Sequence, residues 1–277
     1  MASLQAALSQ AALVLAPELQ SEAELLLAHL LQTDKSYILA HPETELTNEQ
    51  LRHLLQLCQR RANGEPLAYI TGYQEFYGRR FKVSPSVLIP RPDSETLIEQ
   101  ALNVLRRAPS TEHPVPSTLD IGTGSGCLII TLAMETSNTY SYTACDISAA
   151  ALKIAKENAT NLGADINFIQ SNLTHNLPPN TYNLITANLP YLTAEQMSEA
   201  SIQSEPELAL YGGHDGLHYY RQLLQQLPKF TSTGSVILLE IDPDQATPLQ
   251  QEIAAHGWQS TVIQDLSGRD RVIKIVI

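Results

Sequence analysis

Two stretches of this 277-residue sequence carry chemistry in their spacing. Asp120-Ile121-Gly122-Thr123-Gly124-Ser125-Gly126 follows a run that reads as a strand and opens one that reads as a helix; Asp146 ends the next strand, 20 residues after Gly126. Glycines let backbone approach a ligand where a Cβ would stand in the way, and the turn after a parallel strand is where such sheets bind ligands. A dinucleotide fingerprint needs its third glycine where Cys127 stands, and no Gly-Lys-Ser/Thr follows to make a phosphate loop. Asp146 is placed to accept hydrogen bonds from both hydroxyls of a ribose. The ligand expected is a nucleoside without a pyrophosphate. S-adenosylmethionine fits, held by Gly122, Thr123, Gly124, Ser125, Gly126 and Asp146.

Asn188-Leu189-Pro190-Tyr191 falls at the end of the fourth strand, beside that turn. Methyl transfer from a sulfonium needs an in-line nucleophile, and a planar amide or amino nitrogen is a poor one because its lone pair is delocalised. The Asn188 side-chain oxygen and the Leu189 carbonyl could each take one N–H, orienting the nitrogen and stabilising charge as it develops. Tyr191 offers an aromatic face or edge to the planar group. Taken alone, the same four residues describe a strand-ending Asn-x-Pro turn with no chemical role.

The elements that must hold these groups alternate after residue 117. Strands are expected at 118–121, 140–145, 166–170, 182–187 and 236–241, and helices at 127–134, 149–161, 216–227 and 245–256, which gives a doubly wound sheet. Two successive strands, 259–263 and 271–277, are separated by the Ser267-Gly268 turn and put an antiparallel strand last. Residues 1–62 read as helices. Ser21 to Glu24 and Thr47 to Gln50 fit the S/T-x-x-E/Q capping box; Leu51, Leu54, Leu55 and Cys58 recur on one face, and 25–31 is apolar enough to be largely buried. Asn63-Gly64-Glu65-Pro66 breaks that pattern. Aromatic and β-branched residues across 67–92 predict short strands or a hairpin, at Tyr69-Ile70-Thr71, Phe76-Tyr77, Phe81-Lys82-Val83 and Val87-Leu88-Ile89. Asp93 or Ser94 is expected to cap a helix over 95–107, with a polar link at 109–116. The domains expected are a helical one at 1–62, a connector at 63–92 and a larger α/β domain at 93–277.

Lys and Arg total 17 against 29 acidic residues, a net charge of −12, the wrong sign for holding long nucleic acid by phosphate neutralisation. Only the middle block is positive, through Arg60, Arg61, Arg79, Arg80, Lys82, Arg91, Arg106 and Arg107; it would serve an acidic partner or a solvated mixed surface equally. No apolar run approaches the roughly 18 residues of a membrane span, and no internal repeat is present. The N-terminus lacks the basic start and apolar block of a secretory signal, so a cytoplasmic protein is expected. Cys58, Cys127 and Cys145 are odd in number, lack a CxxC spacing and sit in apolar settings, so reduced core thiols are expected rather than disulfides or a metal site.

The sequence resembles the protein-(glutamine-N5) methyltransferases that modify peptide-chain release factors. The resemblance rests on Gly64-Glu65-Pro66-Leu67-Ala68-Tyr69-Ile70-Thr71-Gly72, Glu75-Phe76-Tyr77-Gly78, Val87-Leu88-Ile89-Pro90-Arg91-Pro92 with Glu95, the glycine turn and the Asn188 tetrapeptide. It extends through Glu205-Pro206-Glu207-Leu208-Ala209-Leu210, Gly212-Gly213, Asp215-Gly216-Leu217 and Tyr220-Arg221, covering 64 to about 275. It implies a class I methyltransferase sheet, Rossmann-like with an antiparallel last strand, behind a small N-terminal helical domain that recognises substrate and a β-hairpin connector. It also implies S-adenosylmethionine at 122–126 and Asp146, with Asn172 and Leu173 flanking its adenine. Asn188, Leu189, Pro190 and Tyr191 would receive the glutamine of a release factor's Gly-Gly-Gln loop, and Pro90, Arg91 and Glu95 would lie near the cofactor.

Three positions depart from the family pattern. Leu189 replaces the usual proline, losing a fixed φ but keeping the carbonyl. Asn172 replaces an acidic residue and accepts without charge assistance. Asp242 stands where glycine is usual. Two other functions remain open at the level of sequence: methylation of adenine N6 in RNA or DNA, which uses the same tetrapeptide class, and a degenerate methyltransferase fold acting as a scaffold. The charge and the 64–92 segment weigh against the nucleic-acid enzyme.

Overall fold

Strand and helix alternate after residue 116 to build one seven-stranded sheet, preceded by a bundle of short helices. A computed structural model of the chain describes residues 1–106, 116–136, 140–199 and 202–277; Arg107 and most of the expected polar link, 109–115, lie outside the described residues. The chain divides into two units, Met1–Tyr73 and Gln74–Ile277.

The first unit comprises β1 (Ala2–Ser3), α1 (Leu4–Val14), α2 (Glu22–Leu31), α3 (Lys35–Ala40), β2 (Glu45–Leu46), α4 (Asn48–Ala62) and α5 (Leu67–Thr71). Its core joins Leu4, Leu26, Leu27, Ile38, Leu46, Leu54, Cys58 and Ile70. The Thr47 box forms as expected: Gln50 N donates to Thr47 Oγ1 at 3.1 Å and Thr47 N to Gln50 Oε1 at 2.9 Å. The Ser21 box does not. Ser21 already has helical φ/ψ and makes no side-chain cap, whereas capping needs extended backbone there; Glu24 pairs instead with Lys35 at 2.6 Å and Glu22 with Arg61 at 2.5 Å. Leu25, expected to be buried, is 41% exposed.

The 67–71 segment is helical, not extended. Pro66 at its N-cap and Gly72 at its C-cap, φ +82°, bracket one turn, and these terminators outweigh the β propensity of Tyr69 and Ile70. The expected hairpin forms further on, from β3 (Tyr73–Phe76) and β4 (Arg79–Lys82). Tyr77 and Gly78 both have positive φ, as a two-residue hairpin turn requires. Val87-Leu88-Ile89 forms no strand.

Then follow α6 (Glu95–Leu105), β5 (Ser117–Ile121), α7 (Cys127–Glu135), β6 (Ser141–Asp146), α8 (Ala149–Leu162), β7 (Asn167–Gln170), β8 (Leu184–Ala187), α9 (His218–Gln226), β9 (Val236–Glu240), α10 (Ala246–Ala255), β10 (Gln259–Gln264) and β11 (Asp270–Val276). The sheet order is β10-β11-β9-β8-β5-β6-β7. Its strands are parallel from β7 to β9, and β11 is antiparallel to both neighbours, as the final pair of strands led one to expect. Side chains alternate across it: Leu119, Ile121, Ile185, Ile237 and Leu239 face α9 and α10, while Ala144, Leu184 and Leu238 face α6 and α7. Strand order reverses between β5 and β8, and the crevice of such sheets opens at that switch point. Among the described residues no helix is long and apolar enough to cross a membrane.

Candidate active site

The turn after β5 is shaped by three glycines and pinned from outside. Gly122 and Thr123 donate their amides to Cys145 O at 2.9 and 3.0 Å, and Gly126 N returns to Thr123 O at 2.8 Å. Gly122, Gly124 and Gly126 lie at φ +74°, +54° and +81°, a region open mainly to glycine. A Cβ on Gly126 would stand 2.8 Å from Ile130 Cδ1 and 3.2 Å from Ala155 Cβ; one on Gly124 would meet nothing within 4 Å. Gly126 therefore serves the packing of α7 on α8, while Gly124 leaves open space above the turn. Asn158 of α8, 2% exposed, donates to Ser125 O at 2.9 Å and exchanges bonds with the Lys82 backbone at 2.7 and 3.0 Å.

Asp146 accepts Gly124 N on Oδ2 at 2.9 Å and Ser148 N on Oδ1 at 2.8 Å. Each oxygen keeps a second lone pair for a ligand. Burial raises its pKa, and these amides pull the other way. Asp120, within β5, accepts Thr186 Oγ1–H at 2.7 Å; burial pushes its carboxyl up to about 6.

A cleft of about 270 Å³ opens above the turn. Of the residues singled out in the sequence, Gly122, Thr123, Gly124, Ser125, Asp146, Asn172, Leu173, Asn188, Leu189 and Pro190 line it, with Pro90 and Arg91. Gly126 lies beneath it for the reason just given. Tyr191 packs against the hydrophobic core instead, and burial raises the pKa of its phenol. Glu95 turns away to accept Tyr77 N at 3.0 Å. Leu173 holds φ +49°, an uncommon conformation for a side chain of its size, with Cys145 Sγ donating to its carbonyl at 3.3 Å. Val87 and Leu88, expected in a strand, form part of the wall.

The tetrapeptide is braced by residues to which sequence inspection assigned no such role. Asn188 Nδ2 donates to Ser94 Oγ at 3.3 Å, so Ser94 does not cap α6; Asp93 pairs with Arg271 at 3.0 Å instead. The Glu240 carboxyl is buried, and desolvation pushes it up to about 7 against the opposing pull of Ser94, Arg271 and Asn188. Tyr220 donates to Glu240 O, and its hydroxyl lies 3.5 Å from Leu189 O. Gln245 Nε2 donates to Tyr191 O at 2.8 Å.

Behind the tetrapeptide, a Cβ on Gly212 would come within 2.5 Å of Pro190 O and 2.6 Å of Tyr191 Cα. Gly212 thus allows close backbone approach. Asp242 has φ −71° and caps its turn, accepting Asp244 N at 3.1 Å while its own N donates to Gln245 Oε1 at 3.1 Å. This accounts for aspartate at a position that needs no glycine and sets the residue that holds Tyr191. Signals for some of these braces existed: Glu240 is the lone acid in the apolar run 236–241.

Arg91 pairs with Glu205, whose other oxygen accepts Ile89 N at 2.9 Å. Arg60, Arg79 and Lys82 also have acidic partners, Glu65, Glu135 and Glu157, at 2.6 Å, so much of the positive block is neutralised pair by pair. Cys58, Cys127 and Cys145 are free thiols; burial pushes Cys58 up to about 11 and Cys127 to about 12.

Comparison with known proteins agrees with this architecture. Residues 4–72 match the model of the PrmC N-terminal domain, and residues 95–205 that of the methyltransferase small domain. A methyltransferase structure from Pyrococcus furiosus superposes with a TM-score of 0.53 at 16% identity, over 83% of this chain and 98% of that one, a likeness of fold. The chain is 38% identical to the release factor glutamine methyltransferase of Neisseria gonorrhoeae, over 82% of each. It is 39% identical to the protein of the same name from Koribacter versatilis, over 84% of this chain and 82% of that one. At that identity and coverage, the chain belongs to the release factor glutamine methyltransferase family.

Proposed function

We propose that this chain methylates the side-chain amide nitrogen of the glutamine in the Gly-Gly-Gln loop of a peptide-chain release factor, acting in the cytoplasm with S-adenosylmethionine as donor. The observation that carries the proposal is that the glycine turn, Asp146 and Asn188 line one cleft. The residues fit the donor: Gly124 leaves the turn open where a side chain would close it, and Asp146 keeps a lone pair on each oxygen for ribose hydroxyls. Asn172 and Leu173, on the same wall, would flank the adenine. When bound, S-adenosylmethionine supplies an electrophilic methyl group on a sulfonium.

The chain's own part is orientation. Asn188 Nδ2 is engaged by Ser94, which leaves Oδ1 to accept one N–H of the substrate amide; the Leu189 carbonyl takes the other. Two acceptors on one nitrogen fix the plane of the amide, so that its lone pair faces along the transfer line, and stabilise the positive charge that develops there. The proton leaves after the nitrogen has become cationic, so no strong base is needed. Pro190 and Tyr191 hold the tetrapeptide's shape, against Gly212 and through Gln245.

Incubating the protein with labelled S-adenosylmethionine, a release factor, its Gln→Ala loop variant and ribosomal RNA tests the proposal. Label in the release factor and none in the variant is expected. Label in RNA alone would move the enzyme to adenine methylation, and label in neither would favour a scaffold.

A further inference from the structure

Glu240 does not line the cleft, yet it stands directly behind the residue that meets the substrate. β9 runs parallel to β8 with Ala187 opposite Leu239, so Asn188 and Glu240 leave adjacent strands side by side. The Ser94 hydroxyl, 3% exposed, receives Asn188 Nδ2–H at 3.3 Å. Ser94 and Asn188 both favour the ionised form of the Glu240 carboxyl, whose buried Oε2 has no hydrogen-bond partner.

An ionised carboxylate only accepts hydrogen bonds. Asn188 must then turn its N–H₂ toward it, and because the amide is planar, Oδ1 projects the other way. We propose that Glu240 is a positioning residue: its carboxylate, with Ser94, fixes the Asn188 amide so that an acceptor rather than a donor faces the substrate. This rests on the function proposed above. A protonated Glu240 offers an O–H that Oδ1 can accept, and the amide then turns its N–H₂ to the substrate's own N–H₂, donor against donor.

Turnover should therefore rise with pH as Glu240 ionises. Burial holds its carboxyl near 7; Arg271 on β11 lowers it and Asp93 ahead of α6 raises it. Tyr191, Tyr220 on α9 and Cys127 on α7 also feel its charge, but all three are raised by burial and stay protonated across neutral pH.

The test pairs kinetics with an observation that needs no activity. In ¹⁵N-labelled protein, the Asn188 side-chain N–H₂ resonances, assigned by their loss in Asn188→Asp, are followed across neutral pH in wild type and Glu240→Gln. They should titrate in the first and not in the second. Turnover of wild type on the release factor should rise with the same midpoint. Glu240→Gln should lose about ten- to hundredfold in kcat, the range for one charge-assisted hydrogen bond, and lose the inflection, with cofactor affinity unchanged. Ser94→Ala, a milder change, should move the midpoint upward, since the ionised form loses a donor. Asn188 resonances indifferent to pH would overturn the proposal, as would wild-type turnover and pH profile in Glu240→Gln. If the amide titrates with Glu240 but wild type labels no release factor, the positioning role stands and the proposed reaction falls.

Discussion

Asn188 is held from behind by Ser94 and lines the cleft in front, so its two ends have separable consequences. Replacing Asn188 with Ala should cost about 10²-fold in turnover, as loss of an oriented group at a reacting centre does. Cofactor affinity by calorimetry should change little. Asp146→Ala should do the reverse, weakening cofactor binding because the carboxylate proposed to accept the ribose hydroxyls goes while the tetrapeptide stays intact. Both residues were legible in the sequence because each closes a strand at a recognisable distance from the glycine turn. The roles of Ser94 and Gln245 were not, since their partners Asn188 and Tyr191 lie 94 and 54 positions away and only folding brings residues 94, 188 and 240 together. Asp242 illustrates the same limit: its cap on 243–245 explains the substitution, but a cap of three residues leaves no periodic trace in sequence.

Among the elements, the glycines sort by what surrounds them. Gly126→Ala must displace Ile130 and Ala155 and adopt a left-handed φ; a loss of about 1–3 kcal/mol is expected, read as a lower denaturation midpoint. Gly212→Ala meets backbone at Pro190 and Tyr191, which cannot rotate aside, so it should depress turnover through a displaced tetrapeptide, measured as a fall in kcat at saturating cofactor. The α/β alternation could be read ahead because period-2 and helical patterns persist over several residues. The 67–71 turn misled because five residues are too few for periodicity to outvote β-branched composition, and Pro66 and Gly72 decide. Ser21 misled because a capping sequence says nothing about how the preceding chain enters the helix.

For the molecule as a whole, stability should depend on pH through two buried acids with raised pKa, Asp120, raised to about 6, and Glu240, raised from 4.5 to about 7. A carboxyl with a raised pKa in the folded state binds more protons there than when unfolded, so its contribution is complete below the unfolded value and is lost as pH rises through the folded one. Glu240→Gln should therefore match wild type near pH 4.5 and gain in relative stability up to about pH 7, as thermal unfolding at several pH values would show. The larger unit has its own cores on both faces of the sheet, so a chain starting at Gln74 should keep cofactor binding. Loss of release-factor labelling in it would assign recognition to the first unit, and full labelling would remove that role.

The place of β11 between β9 and β10 has a consequence for how the protein is made. On the ribosome β10 emerges before the neighbour that joins it to the sheet, and the Glu240 carboxyl waits for Arg271, which arrives on the same late strand. A nascent chain halted short of residue 270 would hold the glycine turn and the tetrapeptide but leave the acid behind Asn188 without its counter-charge. The buried acid thus meets its counter-charge only after synthesis has passed that strand.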